Sequence, residues 1–186
     1  MKKSTLKPFL KENLDILFVG LNPAKGSDDN GHYFSVKQAF WNQLFKSGLI
    51  VMPVDKSNAD ELVFGDNSIN VNNLEYGITD LLNVAESDSS KVEPTDNDSI
   101  QLEKDILKYK PKVVVLLHSK VIKCFVKKHL RTGKKYTANY GKMGQLLERK
   151  GCNTMFYYVA FPHGNNISCE KKVARYKEIK KYILNE

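Results

Sequence analysis

The sequence predicts a three-layer α/β/α sandwich around a central, mainly parallel sheet of four to five strands. Three observations predict it: short unbroken apolar runs of the kind buried on both faces, helix-period stretches between those runs, and polar, glycine- and proline-rich residues gathered where the runs end. At 186 residues, with 41% hydrophobic and 27% charged side chains, the chain has material for one core, and a single domain over 1–186 is expected.

The first strand is residues 15–19 (DILFV), closed by Gly20, and Asn22-Pro23 then stops any helix. From Val36 the pattern turns helical through Ala39, Phe40, Leu44 and Phe45, ending at Ser47-Gly48. Residues 51–75 read as irregular, residues 76–82 (YGITDLL) as a second short strand or strand-like turn, and residues 86–98 as an exposed loop. Asp98 or Ser99 is expected to cap a helix carrying Ile100, Ile106 and Leu107, which Tyr109-Lys110-Pro111 ends. Residues 113–117 (VVVLL) form the clearest strand, followed by a helix over about 119–130 and a basic turn over 127–135. Residues 155–160 (MFYYVA) give the last core strand, and Val173, Tyr176, Ile179 and Ile183 mark one face of a closing helix. Ligands of such sheets sit at strand carboxyl ends, which places a site among 20–24, Thr79-Asp80 and 161–168.

No run approaches the roughly 18 apolar residues that span a bilayer, and the first residues lack a signal-peptide core, so a cytoplasmic protein is expected. Cys124, Cys152 and Cys169 are odd in number and far apart, which suits neither a disulfide framework nor a metal knuckle. His32, His118, His129 and His163 show no zinc spacing, so no metal is expected. Residues 1–100 hold 9 Lys/Arg against 15 Asp/Glu, and residues 101–186 hold 20 against 6. That asymmetry fits a polyanionic partner on one side; a lysine-rich solvated surface is the plainer reading.

Three segments carry a likeness to a known family: Gly20-Leu21-Asn22-Pro23-Ala24, then Gly31-His32-Tyr33-Phe34, then the helix from Phe40-Trp41 to Gly48-Leu49. With Glu75 to Thr79, Lys108 to Pro111 and the closing strand, loop and helix, they resemble the mismatch-specific thymine/uracil-DNA glycosylases of the uracil-DNA glycosylase superfamily. The resemblance covers about residues 14–184. It implies a monofunctional DNA repair hydrolase that flips uracil, a mismatched thymine or another damaged base out of double-stranded DNA and leaves an abasic site. Such a hydrolase uses water and no cofactor, and a monomer is expected.

Breaking an N-glycosidic bond builds cationic character on the sugar and negative charge on the base, so a placed water and donors facing the base are required. By the resemblance, the Asn22 amide orients that water; an isolated Asn-Pro pair also reads as a turn. Phe34 would stack on the flipped base, although a core phenylalanine reads the same way. Leu21, Pro23 and Tyr33 would line the base, with the backbone at Leu21 and Tyr33 meeting its polar edge. Asp80 stands at a pocket position, where an inward-pointing ionised acid would repel the leaving anion.

Residues 161–168 occupy the place of the family's second motif, a loop that enters the minor groove. Phe161 and His163 depart from the usual residues there, which bears on mismatch preference. His163, Gly164, Asn165, Asn166 and Ser168 are the DNA-binding candidates of that loop, with the two asparagines available to pair with the widowed base. Lys120, Lys127, Lys128 and Lys134 are the phosphate-contact candidates of the densest basic run. Competing classes are a non-catalytic DNA-binding protein of the same fold, and an enzyme of free nucleosides, for which the basic half is more charge than needed.

Overall fold

The computed structural model describes residues 2–129 and 141–186. Five strands form one sheet among them: β1 (Ile16–Gly20), β2 (Tyr76–Asp80), β3 (Val113–Leu116), β4 (Gly141–Gly144) and β5 (Met155–Tyr158), in the order β2-β1-β3-β5-β4. The first four in that order run parallel, and β4 is antiparallel to β5. The helices are α1 (Lys25–Asn30), α2 (Ala39–Ser47), α3 (Asp96–Tyr109), α4 (Ser119–His129) and α5 (Cys169–Leu184).

Side chains alternate across a strand, so each strand feeds two cores. Ile16 and Phe18 of β1, Tyr76 and Ile78 of β2, and Val113 and Val115 of β3 meet Phe40, Trp41 and Leu44 of α2 and Tyr176 and Ile179 of α5. Leu17, Val19, Val114 and Leu116 meet Leu102 and Ile106 of α3 and Val121, Ile122 and Phe125 of α4. Burial on both faces explains why β1 and β3 are continuous apolar runs, and it makes the architecture the expected three-layer sandwich.

Several expected boundaries shift. Helix α3 begins three residues early because Thr95 is its N-cap: the Asp98 carboxylate, at the third helical position, accepts from the Thr95 N–H at 2.7 Å. This reciprocal capping box therefore removes the end of the loop expected over 86–98. Residues 51–75, expected to be irregular, contain a π-helical turn (Glu61–Asp66) and a 3-10 turn (Val71–Asn73). Helix α1 was not expected, and neither was β4, whose two glycines carry positive φ. The basic turn expected over 127–135 lies largely outside the described residues. Among those residues no helix is long and apolar enough to cross a membrane.

The N-terminal segment forms a strap along the free edge of β2. Phe9 bridges Ile78 and Lys3 bridges Val84, both antiparallel, with N–H···O bonds of 2.9 and 3.1 Å exchanged between Phe9 and Ile78. A Cβ on Gly77 would collide with the Phe9 carbonyl oxygen, so glycine lets the strap approach that closely.

Candidate active site

The chain leaves β1 toward the α2 face and leaves β3 toward the α4 face, so the crevice between their carboxyl ends is a topological switch point. A cleft of about 640 Å³ opens there, bringing together Asn22, Tyr33, Phe34, Asp80, His118 and His163. Leu21, Pro23, Gly164 and Asn165 also line it.

Asn22 follows β1 and is half-buried. Its Nδ2 donates toward the carbonyls of Pro23 (2.9 Å), Val84 (3.2 Å) and Glu86 (2.6 Å). Three carbonyl oxygens can face only an NH₂, which settles the amide's orientation and turns Oδ1 the other way. No donor among the described residues reaches that oxygen. An isolated turn would instead use Oδ1 locally. The Glu86 N–H donates to the Pro23 carbonyl at 3.0 Å, and Glu86 pairs with Lys25 at 3.1 Å, so residues 84–86 buttress the loop.

Leu21 sends its side chain into the α3/α4 core and gives its carbonyl to the Leu82 N–H at 2.8 Å, so it meets the cleft through its backbone. Tyr33 corrects an expectation: its N–H donates to Asp60 Oδ2 at 2.7 Å and cannot also serve a base, which leaves the ring as its contribution. Burial, then the charges of Asp80 and Asp60, push the Tyr33 phenol well above its ordinary pKa. Asp60, itself buried, also meets His32 Nδ1 at 2.9 Å and thereby holds the turn from His32 into Phe34.

Phe34 sits at φ +52°, a region that costs an L residue on the order of 1–2 kcal/mol. The strain is supported by stacking on Phe40, with centroids 4.1 Å apart and planes at 24°, so one ring face is covered by protein while the residue still lines the cleft. Asp80 ends β2 directly beside Gly20, where any Cβ would overlap its Oδ1. Its Oδ2 is buried with no partner among the described residues, and burial pushes the carboxyl pKa up to about 7.

The second loop is built differently. Its Pro162 carbonyl accepts from two buried side chains, Gln43 of α2 (3.0 Å) and Lys172 of α5 (3.2 Å). His163 packs edge-on against Phe161 at 4.9 Å, and burial with the Lys37 and Lys172 charges lowers its pKa. His163 therefore lines the cleft as a neutral ring. Asn165 is also corrected: its Nδ2 donates to the carbonyls of Phe161 (2.7 Å) and His163 (3.2 Å), and its Oδ1 accepts from the Ile167 N–H (3.1 Å). Its amide braces the loop and is not free for a widowed base. Gly164 and Asn166 are exposed at the tip, whereas Ser168 accepts from the Lys171 N–H at 3.4 Å as the N-cap of α5.

Lys120 does not reach outward: its Nζ donates to the Val92 carbonyl (2.6 Å) and to Glu93 (2.7 Å). The side chains of Lys127 and Lys128, and the whole of Lys134, lie outside the described residues.

Of the cleft residues that the sequence reading did not single out, three bear on the site. His118 ends the VVVLL strand, an end omitted from the carboxyl-end rule. Its Nδ1 accepts the Lys120 N–H at 3.1 Å, and burial with the Lys120 charge lowers its pKa, so the neutral ring carries its proton on Nε2 as a fixed donor. Ile167 supplies an aliphatic group on the second loop, and Leu6 arrives from the strap.

A switch-point cleft with one aromatic face, an outward carboxamide oxygen and a carboxyl with a buried oxygen defines this α/β/α protein, and that combination suits a flat, polar-edged ligand. A family model, the Uracil DNA glycosylase superfamily, matches residues 7–184, and the chain belongs to that superfamily. Its function is accordingly uracil-DNA-glycosylase-like, with DNA as the substrate class. No curated protein matches the chain.

Proposed function

We propose that this chain is a monofunctional DNA glycosylase of the mismatch-specific thymine/uracil branch, acting first on uracil. The observation that carries the reading is the Asn22 amide, whose nitrogen is held by carbonyls while its oxygen is free at the cleft. Asn22 Oδ1 accepts a hydrogen from one water and aims its lone pair at the sugar carbon C1′ of the extruded nucleotide. The water oxygen bonds to C1′ as the C1′–N1 bond breaks. The bonding pair leaves on base N1, and the water's surplus proton passes to solvent. A neutral amide positions water without taking its proton, so turnover is slow compared with a carboxylate base.

The face of the Phe34 ring that Phe40 does not cover supports the base. Asp80, protonated through most of the range below about pH 7, donates to the base and relieves the charge that an ionised acid would add to. His118 supplies a second neutral donor at the same end of the sheet. Ile167 is the apolar group of the second loop suited to filling the gap in the stack.

The test is release of uracil from a duplex carrying one uracil opposite guanine, followed by alkali. Alkali-dependent breakage with wild type, and none before alkali, is expected. Equal binding to uracil-containing and normal duplexes with no released base would instead favour a non-catalytic DNA-binding protein.

A further inference from the structure

The strap brings a residue into the cleft from outside every sequence block that resembles the family. Leu6, half-buried, lines the cleft with Gly20, Tyr33 and Asp80 and packs against the α2/α5-side core. The two strap bridges, Lys3–Val84 and Phe9–Ile78, flank Leu6 and keep it along the end of β2, whose last residue is Asp80.

The placement of Leu6 is held from both sides. At Phe9 the strap is tied to β2, and before Leu6 it is clamped to α1 by Asp28. The Asp28 carboxylate, 4% exposed, accepts from Ser4 Oγ (2.7 Å), the Thr5 N–H (2.6 Å) and Thr5 Oγ1 (3.1 Å), with Lys2 Nζ at 3.4 Å. These donors hold the carboxyl far below the ordinary carboxylate range, burial opposing them. The Leu6 N–H donates to Ser4 Oγ at 3.2 Å, so its backbone is joined directly to the clamp.

A pyrimidine has a polar edge and a carbon edge. Asn22, Asp80 and His118 provide polar groups for the first and Phe34 and Tyr33 supply rings, which leaves the carbon edge to an aliphatic side chain. Of the other aliphatic residues on the cleft, Val36 is 46% exposed, Leu21 turns its side chain into the α3/α4 core, Pro23 and Ala24 belong to the Asn22 loop, Ala160 carries only a methyl group, and Ile167 belongs to the second loop. Leu6 alone among them comes from the N-terminal strap, and it shares the cleft with Asp80.

We infer that Leu6 is a specificity-determining wall of the base pocket, restricting room at the pyrimidine carbon edge so that uracil is favoured over five-substituted pyrimidines. The inference rests on the function proposed above. Single-turnover release is measured from duplexes carrying uracil, thymine or 5-hydroxymethyluracil opposite guanine. Leu6→Ala raises the thymine-to-uracil rate ratio about tenfold, in line with the effect of removing carbons from an apolar pocket, and Leu6→Phe lowers it. Leu6→Met, similar in volume, leaves the ratio within about twofold of wild type. Leu6→Val moves it in the direction of Ala by less, which keeps the test sound if Ala does not fold, as thermal melting shows. Asp28→Asn, which weakens the clamp without touching the wall, also raises the ratio.

Ratios unmoved in Ala, Val and Phe, or rates falling in parallel on all three bases, overturn the inference while leaving the proposed function standing. A wild type that releases no base overturns both.

Discussion

In the loop after β1, the Asn22 amide gives its nitrogen to three backbone carbonyls and leaves its oxygen open; in the loop after β5, the Asn165 amide spends both ends on its own loop. One side-chain type thus serves in two opposite ways at the two ends of one cleft. The first loop is braced by other segments, namely residues 84–86, so its side chain is free to act. The second is tethered at Pro162 but must shape its own tip, so its side chain becomes scaffold. The lesson is that a polar residue at a strand's carboxyl end is a working group only where something else has already satisfied the backbone around it.

The sharpest way to break this contrast is to remove the free oxygen. Asn22→Ala is expected to lower single-turnover release by about 100-fold while leaving DNA affinity nearly intact, as for loss of a water-positioning group. Asn22→Asp supplies a stronger base but sets an oxygen against three carbonyls, so it too is expected to lose most activity at pH 7; full or raised activity would show that the carbonyl cage does not set the amide.

Phe34→Ala should come next, weakening productive binding by roughly 10-fold, the scale of one lost base stack. Its effect is expected in the concentration dependence of release more than in the saturated rate. Asn165→Ala should act only through loop shape, with DNA binding weaker by about 3-fold to 10-fold, the scale of one or two bracing hydrogen bonds, and an unchanged saturated rate. A drop in that rate comparable with Asn22→Ala would erase the distinction between the loops. Lys120→Ala should be smallest, leaving the salt dependence of DNA binding unchanged because its cation is already paired with Glu93.

Asp80 gives the comparison a pH axis. Its folded pKa of about 7 exceeds the ordinary 3.8, so between those values the native state holds the extra proton and stability falls as pH rises. Asp80→Asn should therefore raise Tm at pH 8 and gain little at pH 4. If the protonated form serves the leaving base, wild-type release declines as pH rises through about 7, and the variant lacks that decline.

Much of the fold was readable from residues. The doubly buried runs at 15–19 and 113–117 announced a parallel sheet, and Gly48 closed α2 where expected, with φ +74°. Strand β4 was not readable, because Gly141-Lys142-Met143-Gly144 has no β-branched residue and two positive-φ glycines. Helix α1, six residues long and mostly polar, has no apolar period to detect. In the site, the segments carrying Asn22, Asp80 and His163 are legible as polar strand ends, whereas His118 directly follows an apolar run with no glycine or proline beside it to mark a ligand loop. Leu6 and Asp60 act across long sequence separations, and nothing in their neighbourhoods announces the contact. The role of Asn165 was hidden for the reverse reason: its partners are all local, but they appear only once the loop has closed.

Gly20 and Asp80 occupy the same level of neighbouring strands, and the absent side chain of one makes room for the acid of the other. Their mutational effects cannot be independent. Alanine at 20 would swing the carboxyl out of place in the native background, yet be far milder where position 80 is already glycine. Natural variation at these two sites should therefore be correlated, so that a change at either is informative only with the identity of its neighbour in hand.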